Sequence, residues 1–231
     1  NGDPAETGLL GRYSLLPLAE VVALYLERSP GSYGWEDGLE DDGVVFETVP
    51  FGRVKRLSRN DFWVTVGSDR GGDYIAVDLD PAERGQRGQV IEYGRNIYGP
   101  LDYVSPSVLT MLTEVVEALR AGHHEVRDDR YLRAEVPRDE PPSYEEVLDG
   151  PGTDLDEPEL VQRVYLNDYA DVDLAVFEPL TSLRALSVNS ATTVTPSIGG
   201  LKALESLEIA ADSVDLAALA GHPTLWYVQL A

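Results

Sequence analysis

Two carboxylates follow a hydrophobic run in residues 73–81, DYIAVDLDP. Side chains alternate between the two faces of an extended chain, so Asp78 and Asp80 are expected on the same face, about 7 Å apart. Paired carboxylates at the end of a strand can bind a cation, serve as acid and base in hydrolysis, or end the strand and shape a turn. The residues around them decide between these roles.

The chemical roles each lack a required feature. A calcium loop of the EF-hand type needs an oxygen ligand and then a glycine where this chain has Ala82 and Glu83. A phosphatase similar to haloacid dehalogenases would use the first aspartate as nucleophile and the second as proton donor, but it needs a crossover helix next. Residues 81–88 instead predict a polar turn of a hairpin. Glycoside hydrolysis needs a cleft and one carboxyl with a raised pKa, neither of which a sequence shows.

A structural role has direct support from the neighbouring residues. Asp80, Pro81 and Glu83 match a capping arrangement for a short turn. The arginines at 84 and 87 lie close enough in the chain to neutralise either aspartate. We therefore expect these acids to terminate a strand and shape a turn, with no catalytic residue, and a hydrolase that uses them is the disfavoured alternative.

The bulk composition restricts the classes of ligand. The 231 residues carry 18 basic and 41 acidic side chains, a formal charge of −23, which opposes binding to nucleic acid or anionic lipid and favours a basic partner. The absence of cysteine excludes disulfides and thiolate chemistry and fits a reducing cytoplasm. The sequence contains no apolar run long enough to span a membrane and no cofactor-binding motif. No metal site is predicted either, because the adjacent side chains of His123 and His124 point in different directions.

Residues 1–121 predict an α+β domain with a mixed, mainly antiparallel sheet and packed helices. One helix is expected within residues 13–29, and another begins with Ser105 as its cap and continues to about residue 121. Between them, VVFETV, DFWVTVG, DYIAVDL and QVIEYG predict strands separated by glycine-rich or charged turns. Trp63, in the second of these, is expected in the core.

Residues 122–160 predict an acidic, proline-rich linker because they contain few apolar side chains. Ser143 and Glu146 form a capping-box pattern, so one short helix is expected at SYEEVL.

Residues 161–231 contain a repeat. The segments VQRVYL, LRALSV, LESLEI and LWYVQL begin at residues 161, 183, 204 and 225, and each has apolar residues at its first, fourth and sixth positions. This pattern resembles leucine-rich repeats, in which strands and return segments stack into a curved solenoid, here of about four short repeats. An open strand edge after the last repeat invites pairing, so either further residues follow Ala231 or a neighbour covers that edge.

The third and fifth positions of each repeat are expected on the sheet face opposite the core, a face with which solenoids commonly bind partners. The candidate partner-binding residues are Arg163, Tyr165, Ser187, Glu208, Tyr227 and Gln229. Ala185 and Ser206 occupy equivalent positions, and Trp226 is predicted either as core or as an exposed anchor.

The segments GGDYIAVDLDP and RGQVIEYGRN resemble the signature of the SUKH superfamily, in which Asp78, Asp80, Pro81 and Gly88 form the structural motif. YSLLPLAEVVALYLE and SPSVLTMLTEVVEAL resemble its first and closing helices, so the resemblance covers about residues 9–121. It implies an α+β domain without enzymatic activity. Bacterial members resemble immunity proteins that bind and neutralise polymorphic toxins, often nucleases, and fungal relatives act as adaptors in cell-wall regulation.

These inferences together predict a cytoplasmic, bacterial protein-binding module that neutralises a basic toxin domain by masking its active site, because an acidic inhibitor is steered to a basic surface. The alternative is a scaffold or regulatory adaptor with no toxin target. The sequence leaves the identity of the partner and the oligomeric state open.

Overall fold

The computed structural model describes residues 10–27, 44–97, 99–127, 131–138, 142–149, 155–167 and 169–231. The chain divides into two compact units. Unit 1 comprises Asn1–Asp37 and Glu47–Pro141, and unit 2 comprises Gly38–Phe46 and Pro142–Ala231. The described residues Val44–Phe46 therefore belong to the unit that is otherwise built from the second part of the chain.

Unit 1 contains a five-stranded antiparallel sheet whose strands follow chain order, β1-β2-β3-β4-β5. Its strands are β1 (Ser14–Leu15), β2 (Trp63–Ser68), β3 (Asp73–Asp78), β4 (Gln89–Gly94) and β5 (Asp102–Ser105). The predicted antiparallel sheet is confirmed, and β3 and β4 form the expected hairpin. Strand β5 was not predicted from the sequence.

The described part of unit 1 also contains two helices and a separate antiparallel strand pair. They are α1 (Leu18–Glu27), α2 (Val108–Arg120), β6 (His124–Arg127) and β7 (Tyr131–Ala134). The N-cap of α2 is Ser107, whose side chain accepts a hydrogen bond from the backbone N–H of Thr110. The predicted cap, Ser105, instead lies buried at the end of β5.

The core of unit 1 lies on both faces of its sheet, because alternate strand residues point to opposite sides. On one face, Met111 and Val115 of α2 pack with Ile75 and Val90. On the other face, Trp63 is 2% exposed and packs with Val54, Ala76, Ile91 and Leu101. The prediction that Trp63 is a core residue is confirmed.

Unit 2 is a parallel β-solenoid of about four turns. Its strands are β8 (Glu145–Leu148), β9 (Arg163–Leu166), β10 (Tyr169–Asp173), β11 (Ala185–Thr195), β12 (Ser206–Val214) and β13 (Tyr227–Leu230). The sheet order is β13-β12-β11-β9-β8, and β10 pairs with β11. Short 3₁₀ turns at Leu174–Phe177 and Leu216–Leu219 follow β10 and β12 and lie in the connections to β11 and β13.

Two predicted elements are wrong. Residues 145–148, expected in a helix, form β8, which extends the parallel sheet beside β9. None of the six residues of VVFETV belongs to a strand. Its residues Val44 and Phe46 pack instead against the solenoid. The region predicted as a linker thus contains strands β6, β7 and β8.

The repeat period positions the solenoid core. In the first three repeats the residues at the fourth and sixth positions, such as Val164, Leu186 and Leu207, are at most 2% exposed. In the fourth repeat the residues at these positions, Val228 and Leu230, are 43% and 48% exposed, so the prediction that they point into the core is wrong there. The side chains between them in sequence must point to the opposite face of the sheet, since strand residues alternate. We call this opposite side the outward face.

A candidate interaction surface on the parallel sheet

The residues predicted to bind a partner lie in two rows on the outward face, because strand pairing places corresponding repeat positions side by side. The first row contains Arg163, Ala185, Ser206 and Tyr227. The second row contains Tyr165, Ser187, Glu208 and Gln229. Strand β8 adds Glu145 to the first row and Val147 to the second. Residues from five neighbouring strands are therefore aligned in two rows on one face of the sheet.

Hydrogen bonds link neighbours on this surface. The Nη1 of Arg163 donates to the hydroxyl of Tyr165 over 2.9 Å, and the Oγ of Ser187 donates to Oε2 of Glu208 over 3.0 Å. The hydroxyl of Tyr227 donates to Oε1 of Gln229. These groups can donate and accept hydrogen bonds to a partner, and their mutual contacts restrict the rotamers that a partner would otherwise have to fix.

One end of the outward face is covered by the chain itself. Val44 and Phe46 are 7% and 3% exposed and pack with Ala185. The ring of Phe46 lies 5.1 Å from the ring of Tyr144, centroid to centroid, and the guanidinium of Arg163 lies 4.9 Å from its centroid. Ala185, which the repeat pattern places on the outward face, is therefore buried.

The residues of the two rows differ in their exposure to solvent. Ser187 and Ser206 are only 5% and 1% exposed, so neither can meet a partner without rearrangement. Glu208 and Tyr227 are half-buried, and Gln229 is exposed. Trp226, next in the chain to this surface, is 56% exposed and packs edge-on against Tyr227. Arg163 and Tyr165 on β9 are half-buried as well, so Gln229 is the one fully exposed member of the predicted binding set.

The strand-end acids lie elsewhere, in unit 1, and Asp78 is fully buried. Its Oδ1 accepts a hydrogen bond from the backbone N–H of Asp80, and its Oδ2 accepts one from Nε2 of Gln89; both measure 2.9 Å. Burial raises the pKa of Asp78 despite these hydrogen bonds. The carboxylate holds the turn, and Gly88, at φ +95°, closes it by donating its N–H to the carbonyl of Asp78.

Asp80 has a different environment from Asp78. It pairs with Nζ of Lys55 over 2.5 Å and accepts a hydrogen bond from Asn60, and these donors lower its pKa. The expected partners, Arg84 and Arg87, are exposed, and Lys55 supplies the cation instead. Strand β3 ends at Asp78, so the alternation that predicted two carboxylates on one strand face does not continue to Asp80.

The capping arrangement predicted around Pro81 also differs from the structure. Glu83 is exposed, and the backbone N–H of Asp80 donates its hydrogen bond to the side chain of Asp78.

Opposed pKa shifts in neighbouring acids are typical of acid and base catalysts. Here the buried member has both oxygens occupied by protein donors, so it cannot reach a substrate.

Sequence reasoning missed the residues that fix this turn to the loop before β2. The Nε2 of Gln89 also donates to the carbonyl of Arg53 over 2.8 Å, and Ala82 donates its N–H to the same carbonyl. A Cβ on Gly85 would lie 2.1 Å from that oxygen, which explains the glycine. The only available signal was the polar Gln89 at the start of an apolar strand.

Within the described ranges, no group of three or more histidine or acidic side chains is placed to hold a metal ion. Neither described helix is long and apolar enough to cross a membrane.

Comparison with known proteins relates part of the chain to fungal proteins. No protein-family model matches it. It is 35% identical over 83 residues to a Yarrowia lipolytica protein named KNR4/SMI1 homolog, covering 36% of this chain and 12% of that protein. It is 32% identical over 105 residues to a Neurospora crassa protein named glucan synthesis regulatory protein, covering 44% of this chain and 20% of that protein.

These similarities support the resemblance to SUKH proteins at a coarse level, because the SMI1/KNR4 family is related to SUKH domains. They contradict the assignment to bacterial toxin immunity, since both relatives are fungal and one is named for regulating glucan synthesis. A basic toxin as partner has no support. The chain spans no more than a fifth of the length of these relatives.

Proposed function

We propose that this protein is a non-catalytic protein-binding module that acts as a scaffold or regulatory adaptor. The observation that carries the proposal is the pair of aligned side-chain rows on the outward face, drawn from five parallel strands. The similarity to a protein named as a regulator agrees with a regulatory role. In this proposal unit 1 is a SUKH-like domain and unit 2 is a leucine-rich solenoid, and the protein works in the cytoplasm.

The accessible end of the outward face suits a basic partner. Glu208 supplies a carboxylate, Gln229 supplies an exposed amide, and Tyr227 with Trp226 supplies aromatic area of the kind that anchors interfaces. The net charge of −23 would accelerate encounter with such a partner at low ionic strength and would weaken binding to polyanions.

The buried position of Asp78 favours a binding role over a hydrolytic one. Its two oxygens accept hydrogen bonds within the protein, and its neighbour Asp80 is paired with Lys55. These acids serve the turn between β3 and β4, so the proposal assigns no catalytic residue.

Affinity capture with a charge-reversal variant tests the proposal. Glu208→Lys reverses a charge on the outward face, and Glu117→Lys makes the same change at an exposed position on α2. We expect a partner that wild type and Glu117→Lys capture equally, that Glu208→Lys loses, and that elutes as salt rises. Equal capture by all three proteins would contradict binding through this face.

A further inference from the structure

Strand β13 forms one edge of the parallel sheet in unit 2. It pairs with β12 on one side, and within the described part of the chain no strand pairs with its other side. Its apolar residues Val228 and Leu230 are 43% and 48% exposed, whereas their equivalents Leu207 and Ile209 on β12 are 0% and 2% exposed. This end of the solenoid therefore combines an open strand edge with exposed apolar side chains.

Hydrogen bonds to β12 determine which backbone groups of β13 point to the open edge. The N–H of Tyr227 donates to the carbonyl of Glu205 over 3.1 Å, and the N–H of Ala231 donates to the carbonyl of Ile209 over 3.0 Å. The backbone groups of successive strand residues point to opposite edges of the strand. The N–H and C=O groups of Val228 and Leu230 therefore point away from β12, toward the open edge.

The open edge lacks the features by which proteins usually prevent edge pairing, which are charged side chains, prolines and bulges. Residues 227–230, YVQL, contain no charge and no proline, and their register with β12 is regular. Residues 216–231 contain no Asp, Glu, Lys or Arg, although 26% of the chain is charged. A basic partner would thus form no ion pair with β13 itself.

The charge distribution favours a second copy of the chain at this edge. Each copy has a net charge of −23, so two copies repel each other wherever acidic surfaces meet. The uncharged edge lets them approach without placing carboxylates in contact. The acid nearest to it in the second row is Glu208, which is paired with Gln229 one strand away.

We propose that β13 pairs antiparallel with β13 of a second copy, so that one sheet continues through a two-fold symmetric dimer. Val228 pairs with Leu230 of the second copy, which satisfies every backbone group that these two residues point to the edge. Gln229 then lies opposite Gln229 of the second copy, at the symmetry axis. The exposed apolar side chains of both copies meet on the inner side of the sheet, and their outward faces join. This inference is independent of the proposed function.

The dimer keeps the nearest carboxylates apart. Three strand spacings separate Glu208 from Glu208 of the second copy, a distance of about 14 Å. This exceeds the Debye length of about 10 Å at about 0.1 M salt. Because salt screens the remaining repulsion between the two acidic copies, self-association should strengthen as salt rises, whereas capture of a basic partner should weaken.

Sedimentation velocity of the full chain over a concentration series measures the self-association. We expect a species of twice the 25.3 kDa mass of one chain, with a dissociation constant at least about threefold lower in about 1 M than in about 0.1 M NaCl. Leu230→Lys should weaken the dimer at least about tenfold, because it places a charge in the paired edge. Leu26→Lys, at a 74% exposed position on α1, is the matched control and should leave the dimer unchanged.

A disulfide tests the register, since the natural chain contains no cysteine. Opposed residues of a non-hydrogen-bonded antiparallel pair have Cα atoms about 4.5 Å apart, which lies within the range of about 4.4–6.8 Å that a disulfide spans. Gln229→Cys should therefore form a covalent dimer on mild oxidation, as read on a non-reducing gel. Glu117→Cys, at an exposed position on α2, should remain largely monomeric.

Three outcomes would overturn the inference: a monomer at every concentration and salt, a dimer that folded Leu230→Lys leaves intact, or cross-linking of Gln229→Cys no faster than that of Glu117→Cys. Circular dichroism establishes that each variant is folded, and the disulfide result decides if Leu230→Lys is not. A monomeric chain that still captures a partner through Glu208 would retain the proposed function and reject only the dimer.

Discussion

Replacement of Asp78 by alanine should destabilise unit 1 far more than replacement of Asp80. Asp78 is fully buried and accepts hydrogen bonds from the backbone N–H of Asp80 and from the side-chain amide of Gln89. Asp80 makes an ion pair with Lys55 in which the two side chains are 35% and 40% exposed. The two acids lie two residues apart, so they form a matched pair for comparing a buried hub with a surface contact.

The expected magnitudes follow from these contacts. A hydrogen bond to a charged acceptor contributes about 1.5–3 kcal/mol, and Asp78 accepts two. Part of this loss is offset because the alanine variant no longer buries a carboxylate, the burial that raises the pKa of Asp78. In the variant Gln89 also retains its hydrogen bond to the carbonyl of Arg53. We therefore expect Asp78→Ala to cost about 2–4 kcal/mol. Asp80→Ala should cost about 0.2–1 kcal/mol, because solvent screens an exposed pair.

Urea unfolding followed by tryptophan fluorescence measures this difference. In a background in which Trp35 and Trp226 are both replaced by phenylalanine, Trp63 is the one remaining tryptophan, and it lies directly opposite Asp78 on the neighbouring strand. The free energy of unfolding is obtained for both variants by linear extrapolation. A loss from Asp78→Ala that is below about 0.5 kcal/mol, or smaller than the loss from Asp80→Ala, would refute the role of Asp78 as a structural hub.

Two further predictions concern the same turn. Gly85→Ala places a Cβ 2.1 Å from the carbonyl oxygen of Arg53, so it should lower the free energy of unfolding measured by calorimetry by at least about 1 kcal/mol. Gly199→Ala is the control: a Cβ there has open space around it, so the free energy of unfolding should change by less than about 0.5 kcal/mol. The pKa of Asp80 in the folded state is lowered from its ordinary value of 3.8. The difference in free energy of unfolding between wild type and Asp80→Ala should therefore persist above pH 3.8 and disappear as the pH falls through the folded-state pKa. A difference that stays constant across that pH range in urea titrations would contradict this prediction.

The sequence could predict the solenoid because its signal is local and repeated. A period of 21 or 22 residues, with apolar side chains at fixed positions, requires equivalent strands that bury the same face. The registers of Ala185 with Ser206 and of Ser206 with Tyr227 follow directly. The β3–β4 hairpin was predictable for a similar reason, since two apolar strands flank one polar turn.

The burial of the outward face could not be predicted from the repeats. Ala185 is covered by Phe46, which lies far away in the sequence and comes from a stretch with an ordinary strand pattern. Alternating apolar residues fit a sheet strand and a segment packed on a sheet surface equally well. The same ambiguity affected residues 145–148, where the capping pattern was local but pairing with β9 decided the structure.

The partners of the strand-end acids were also hidden from sequence reasoning. Nearby arginines were the obvious cations for Asp80, yet the fold brings Lys55 and Asn60 to it from the preceding loop. Contacts of this kind depend on how loops pack, and a single sequence carries no pattern that fixes them. The role of Asp78 in a turn was nevertheless foreseeable from the residues that follow it.

Hydrogen exchange of the full chain, alone and with the partner recovered by capture, tests the central claim most directly. If the outward face is the binding surface, amides of β12 and β13 gain protection in the complex, while those of the turn between Asp78 and Gln89 exchange unchanged. Protection confined to that turn, or to unit 1 as a whole with β12 and β13 unaffected, would contradict the account.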